Sequence, residues 1–267
     1  MLNLKKKIQK TLNGLLDDKK QDVAIETLDC LMKGSNHSVK ASEYAYDVDE
    51  VKAWMRREKK YHGKKLAFLT FDDGPSRYTP GVLDILKERS VQGTFFICGS
   101  CLASTRDDTI MNRYIKEGHG VAIHSYSHDY AYLYPERVAN PDRIVTEFKK
   151  TLDLMKERLG CTFDTKVFRF PGGSMSWRNI DAAKEALRAL GVKDIDWNAL
   201  SGDAKAAAKG PATNEAQAKY VMKTLYSNKQ TNVAVILMHD HLHTTQQYLD
   251  MVIDELQGKG FVFGILE

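Results

Sequence analysis

Two textures of hydrophobic patterning divide the chain. Up to about residue 60, apolar positions recur at helical spacing: Leu4, Ile8, Leu12, Leu15 and Leu16, then Val23, Ile25, Leu28, Leu31 and Met32. This predicts one or two amphipathic helices over residues 1–33. Residues 34–46 are polar and read as a linker. A short helix follows, capped by Asp47 or Asp49, with Val51, Trp54 and Met55 on one face and His62-Gly63 as its breaker. From Lys65 the pattern changes to short apolar, β-branched and aromatic runs between longer helical stretches. The strand candidates are 66–71, 93–97, 120–124, 166–170, 193–197, 232–238 and 261–266; helix candidates lie near 79–89, 108–117, 141–159, 178–190, 214–228 and 244–257. Seven strands alternating with six helices predict a parallel sheet with helical crossovers, either open and doubly wound or closed into a barrel. The first strand is followed by no GxGxxG, which argues against dinucleotide binding. Residues 1–60 are therefore expected to form a helical extension with a linker, and 61–267 the main domain.

Composition narrows the classes. A chain of 267 residues with 43% hydrophobic and 28% charged residues has a globular balance. No apolar run approaches the roughly 18–20 residues of a membrane span. Four cysteines are too few for a disulfide-dense scaffold. Residues 1–65 hold 15 Lys+Arg against 10 Asp+Glu, so the slight basicity sits in the front segment and the rest is near neutral. No basic stripe interleaved with aromatics crosses the main domain, so nucleic acid is not expected as a partner. The first 20 residues lack the apolar core of a signal peptide. The chain is thus expected either to be cytoplasmic or to follow an export segment that it does not include.

Ligands of parallel α/β sheets bind at the carboxyl ends of the strands. Polar residues gather at those ends: Asp72-Asp73-Gly74 after the first strand, His124-Ser125-Tyr126-Ser127-His128 after the third, Arg169-Phe170-Pro171-Gly172-Gly173 after the fourth, Asp203 beyond the fifth and His239-Asp240 after the sixth. Adjacent carboxylates in extended chain point to opposite faces, so Asp72 and Asp73 are expected to serve different tasks. An Asp-Gly-Pro turn would use the same residues structurally. Two imidazoles and one carboxylate would make an open metal site that suits zinc, and also cobalt, manganese or iron. Arg169 would pair with Asp72 and hold it anionic. His239 would be either a satisfied core histidine or a general acid oriented by Asp203. A backbone N–H in the loop after Arg169 could face an oxyanion. A metal, a carboxylate base and a histidine acid describe metal-assisted hydrolysis of an amide or ester.

The set resembles the polysaccharide deacetylase (NodB-homology) family, a carbohydrate esterase family that removes acetyl groups from glycans, over about residues 62–267. Thr70-Phe71-Asp72-Asp73-Gly74, His124-Ser125-Tyr126-Ser127-His128, Arg169-Phe170-Pro171-Gly172-Gly173 and Leu237-Met238-His239 stand in family order. The resemblance implies a distorted (β/α) barrel of about seven strands. It also implies Asp72 as base and Asp73, His124 and His128 as ligands of one divalent ion. Arg169 would hold the base, and the Gly172 N–H would bind the oxyanion. Leu237 would line the acetyl pocket, with His239 as acid and Asp203 tuning it. Ala204 stands where many relatives have tryptophan, and Gly172 where an aromatic is common, so the glycan is left open. The implied substrate is N-acetylglucosamine in peptidoglycan or another wall polysaccharide or its linkage unit. Such an enzyme would work at the cell surface, as a monomer. Two other readings use the same residues: a hydrolase of small amides or formyl groups, and a non-catalytic glycan-binding relative. Cys98-Gly99-Ser100-Cys101 follows the second strand and reads as two free thiols rather than a redox pair. His241 and His243 are expected in a loop near the mouth.

Overall fold

The computed structural model describes residues 30–105, 108–204, 210–227 and 232–267. The helices expected over residues 1–33 lie almost wholly outside the described residues. The described chain runs β1 (Ala45–Tyr46), α1 (Val48–Met55), β2 (Leu66–Gly74), α2 (Thr79–Glu88), β3 (Gly93–Ile97), α3 (Gly99–Ser104), α4 (Thr109–Lys116), β4 (Gly120–Ile123), α5 (Tyr130–Leu133), α6 (Pro141–Leu159), β5 (Val167–Phe168), α7 (Ile180–Arg188), β6 (Lys193–Asp194), β7 (Ala199–Leu200), α8 (Asn214–Ser227), β8 (Val233–His239), α9 (His243–Gly258), β9 (Val262–Phe263) and β10 (Ile265–Leu266). The six long helices fall where helical periodicity put them.

The main sheet has the strand order β6-β5-β4-β3-β2-β8-β7, and every pairing is parallel. Its two edges, β6 and β7, are consecutive in the chain, so the sheet curls until residues 195–198 span the seam: Ile195 N–H donates to the Phe168 carbonyl and Asn198 N–H to that of Val235. This is the distorted (β/α) barrel with seven parallel strands on its path. One member of the seven differs from expectation. The path is completed by Ala199–Leu200, whereas residues 261–266 split in two. There β9 lies against Leu66 and Ala67, and β10 pairs with β1 in a separate small sheet. Gly264 interrupts that run, and its approach to the Tyr46 ring leaves no room for a side chain.

The alternation of strand side chains builds both layers of the core. Ala67, Leu69 and Phe71 point outward under the helices, while Leu66 and Phe68 join Phe96, Ala122, Val167, Ile195, Val233 and Val235 inside the barrel. Helix α1 closes the lower end of that interior with Val48, Val51 and Trp54. Asp47 is its cap, accepting from the backbone N–H of Asp49 and Glu50. The polar stretch read as a linker is packed, not loose. Asn36 and His37 are buried, Asn36 Nδ2 donates to the Leu266 carbonyl at 2.9 Å, and Leu31 bridges to Ser38. Polar composition predicted exposure here, but these side chains satisfy the backbone at the foot of the sheet. Among the described residues no helix is long and apolar enough to cross a membrane.

Candidate active site

Two steps up from each apolar interior position, the same alternation delivers a polar group at the upper mouth. Leu66-Phe68 leads to Thr70 and Asp72, Val167 to Arg169, Ala122 to His124, and Val233-Val235, past the apolar Leu237, to His239. On the paired central strands Asp72 stands in register with His239 and Thr70 with Leu237. A carboxylate and an imidazole separated by most of the domain's length are thereby neighbours.

Arg169 is wholly buried, with its guanidinium 4.0 Å from the Phe96 ring. It donates to Asp72 Oδ1 at 2.8 Å, to Thr70 Oγ1 at 2.7 Å, to the Ile195 carbonyl at 3.0 Å and to the Asp196 carbonyl at 3.3 Å. The expected pairing with Asp72 is present. Its expected electrostatic result is only partly met: burial pushes the Asp72 pKa up, and Arg169, with His239, lowers it without overcoming that cost.

Asp73 departs from the alternation. Its φ of +73° is left-handed, and the β2–β3 register shifts between Asp72 and Gly74. Instead of pointing away, it turns back toward the imidazole that Asp72 also approaches. His124 Nε2 lies 3.5 Å from Asp73 Oδ1 and 3.7 Å from Asp72 Oδ2, and His128 Nε2 lies 3.3 Å from Asp73 Oδ1. His128 leaves the sheet on a loop with its own left-handed φ of +55°, beside Ser125 at +64°. Glu147 on α6 fixes that loop by accepting from the Tyr126 and Ser127 N–H groups. The donor atoms of Asp73, His124 and His128 all lie within 4.8 Å of one another. An ion held tetrahedrally at roughly 2.0–2.2 Å sets its ligand atoms roughly 3.3–3.6 Å apart, which matches the 3.3 and 3.5 Å separations. His124 Nδ1 meets the Arg169 carbonyl at 2.8 Å, and this bond fixes the tautomer that leaves Nε2 free to ligate. Burial lowers the His124 pKa to about 3, so the ring is neutral, as a ligand must be. The residues present therefore fit a divalent ion.

His239 Nδ1 meets Asp203 Oδ1 at 2.9 Å, and the His239 N–H donates to Asp203 Oδ2 at 2.9 Å. Burial alone would lower the His239 pKa, but the hydrogen bond and charge of Asp203, with Asp72 and Asp73, carry it up to about 9. Asp203 is itself buried, which would raise its pKa; hydrogen bonds from His239 and from Tyr248 hold it below its ordinary value. Tyr248 Oη donates to Asp203 Oδ2 at 2.7 Å, and Thr245 Oγ1 to the His239 carbonyl at 2.6 Å. Both come from α9, whose helical spacing signalled only core packing. Leu237 is half-buried beside this pair.

The loop after Arg169 carries Gly172 and Gly173 at φ of +75° and +80°. Asp196 anchors it by accepting from the Ser174 N–H at 2.9 Å and from the Ser174 hydroxyl. Trp177 Nε1 donates to the Pro171 carbonyl at 2.8 Å. Over Gly172 stand the Tyr130 and Trp177 side chains. Sequence reasoning missed Asp196, Tyr130 and Trp177, whose types in loops carry no specific signal. His241, expected only near the mouth, has Nδ1 3.5 Å from Asp73 Oδ2, while His243 packs beside Tyr78 at the start of α9. Cys98 and Cys101 are free thiols. Cys98 lies 3.8 Å from Asp73 Oδ1, close to the site although not assigned to it.

Comparison with known proteins agrees with this geometry. The chain is 32% identical over 206 residues, 76% of this chain and 71% of the relative, to the peptidoglycan-N-acetylglucosamine deacetylase of Bacillus cereus. It is 32% identical over 203 residues to the chitin deacetylase of Colletotrichum lindemuthianum, covering 73% of this chain and 75% of that one. Among solved structures, a CE4 esterase of Streptococcus mutans superposes with a TM-score of 0.83 at 38% identity, covering 89% of this chain and 98% of that one. The model of the polysaccharide deacetylase family matches residues 59–193. With the strand-end groups gathered at one mouth of a seven-stranded barrel, this chain belongs to the polysaccharide deacetylase family.

Proposed function

We propose that this polysaccharide deacetylase is a metal-dependent hydrolase that removes N-acetyl groups from N-acetylglucosamine residues of a cell-wall glycan outside the membrane. One observation carries the reading: Asp72 and His239, in register on the two central strands, stand beside the cluster of Asp73, His124 and His128. The names of the Bacillus and Colletotrichum relatives support the acyl group and a polymeric substrate. An exported place of work follows from where acetylated wall polymer is found.

Asp73, His124 and His128 would hold the divalent ion, zinc by their nitrogen and oxygen donors, which when bound polarises the acetyl carbonyl and acidifies water. Asp72 takes a proton from the water as its oxygen adds to the carbonyl carbon; Arg169 keeps that carboxylate in place, and burial raises its proton affinity. The Gly172 N–H donates to the oxygen on which negative charge develops. His239, protonated up to about pH 9, gives its proton to the departing nitrogen, so the sugar amine leaves neutral. Asp203 holds the ring in the tautomer that directs Nε2 to that nitrogen. Leu237 borders the space for the acetyl methyl.

The test is acetate release from soluble chitin oligomers and from peptidoglycan, before and after chelation, with metal content measured in parallel. Release should stop on chelation and return with added zinc, and His124→Ala/His128→Ala should lose both metal and turnover. Unchanged metal content in that variant, or release confined to small soluble amides, would overturn the reading.

A further inference from the structure

Among the polar groups at the mouth without a role so far, the Tyr130 hydroxyl is the one beside Gly172. Tyr130 opens α5, whose first turn Asp129 caps by accepting from the Ala131 and Tyr132 N–H groups. Its ring is clamped on two sides, with centroids 5.1 Å from that of His128 and 5.1 Å from that of Trp177. Trp177 is itself fixed: it stacks on Tyr134 at 4.0 Å and 6°, lies 5.4 Å from the Arg137 guanidinium, and donates from Nε1 to the Pro171 carbonyl. So the Tyr130 ring is held by a scaffold tied to the oxyanion loop, although 44% of its surface is exposed. A Cβ on Gly172 would lie 3.2 Å from the Tyr130 hydroxyl oxygen. That hydroxyl therefore occupies the space beside Gly172, and among the described residues it has no hydrogen-bond partner.

A rigid aromatic stem, an unused donor and a neighbouring backbone N–H are what a two-donor oxyanion site requires. We infer that the Tyr130 hydroxyl is a second donor to the acetyl oxygen, acting beside the Gly172 N–H. This rests on the reading of the site as an N-deacetylase. The carbonyl oxygen gains charge as water adds, so the bond is strongest in the transition state and acts on turnover more than on binding. The geometry favours the hydroxyl over a purely stacking role, because the ring meets His128 and Trp177 at tilted and edge-on angles and the oxygen is what reaches Gly172.

The experiment compares wild type, Tyr130→Phe and Tyr130→Ala on a soluble chitin oligomer, with zinc present. Each is measured for kcat, KM and inhibition by acetate, whose carboxylate would sit at the same donors. Removing one oxyanion donor costs roughly 100- to 1,000-fold in kcat in enclosed sites, and the exposure of Tyr130 weakens its electrostatic effect through the higher local dielectric. Tyr130→Phe should lose on the order of tenfold in kcat with KM within about threefold, bind acetate severalfold more weakly, and keep the wild-type circular dichroism and metal content. Wild-type kcat and acetate inhibition in Tyr130→Phe, with KM raised only in Tyr130→Ala, would make the ring a sugar platform and overturn the proposal while the deacetylase reading stands. Failure of the wild type itself to release acetate from any N-acetylglucosamine polymer would remove that reading and the proposal with it.

Discussion

Replacing Arg169 with methionine is expected to cost about 3–5 kcal/mol of folding free energy, the usual price of leaving one member of a buried ion pair without its partner. Methionine retains the length of the aliphatic stem but none of the donors to Asp72, Thr70, Ile195 and Asp196. The effect should depend on pH in a definite direction. Burial already raises the Asp72 pKa, and loss of the guanidinium raises it further. A carboxylate whose folded pKa exceeds its unfolded value of about 4 favours folding only while protonated. The deficit should therefore be smallest below about pH 4 and grow toward neutrality. Removing the stranded charge as well, in Arg169→Met/Asp72→Asn, should return about 1–2 kcal/mol, because the amide needs no counter-charge. Urea unfolding followed by circular dichroism at several pH values gives all three quantities. In a thermal scan the single variant should melt roughly 6–20 °C lower at pH 7. The reasoning fails if Arg169→Met stays within about 0.5 kcal/mol of wild type at pH 7, or if the double variant is no more stable than the single one.

Asp203→Asn should lower the His239 pKa from about 9, since the lowering effect of burial would remain while its main opponent is gone and only the charges of Asp72 and Asp73 still raise it. Imidazole NMR would follow it, and the alkaline limb of acetate release should move to lower pH; an unmoved limb would exclude His239 as the acid. In the wild type, the stability from this pair is complete below the unfolded histidine pKa and is lost as pH rises through about 9. The two neighbouring thiols should differ in alkylation by iodoacetamide. The hydrogen bond from Cys98 lowers the half-buried Cys101 to about 7, whereas that same bond and burial push Cys98 well up. Peptide mass spectrometry should find Cys101 labelled first at pH 7.5, and equal labelling would contradict the assignment.

Much of this architecture is legible in the sequence because two periodicities report it directly. Helical spacing located the six long helices, and the strand runs ended in the chemical groups that meet at the mouth. What stayed hidden has specific causes. Ala199–Leu200 is too short to show alternation, so the strand that completes the sheet was invisible and residues 261–266 took its place in the count. Asp73 reaches His124 and His128 by a route that alternation could not show, because alternation assumes extended backbone and its left-handed φ breaks that assumption. The effect of Arg169 on Asp72 could be read as a pairing but not as a balance, since sequence carries no measure of burial. Tyr248, Tyr130 and Asp196 act through positions set by the folded chain; a tyrosine on a helix and an aspartate in a loop look ordinary in one dimension.

The central pairing of β2 with β8 has a consequence for how the molecule comes into being. During synthesis from the N-terminus, β2 emerges early and β8 near the end, so one edge of the most apolar strand pair waits for its neighbour while most of the domain is made. Until then Asp72 lacks the His239 imidazole beside it, and a nascent chain that stops before β8 cannot gather the whole set of groups at the mouth. Long-range parallel pairing is slow to form and leaves strand edges open to other chains meanwhile. The gathered mouth thus belongs only to a chain made through β8, and the interval before β8 appears is when the open strand edge is most exposed to aggregation.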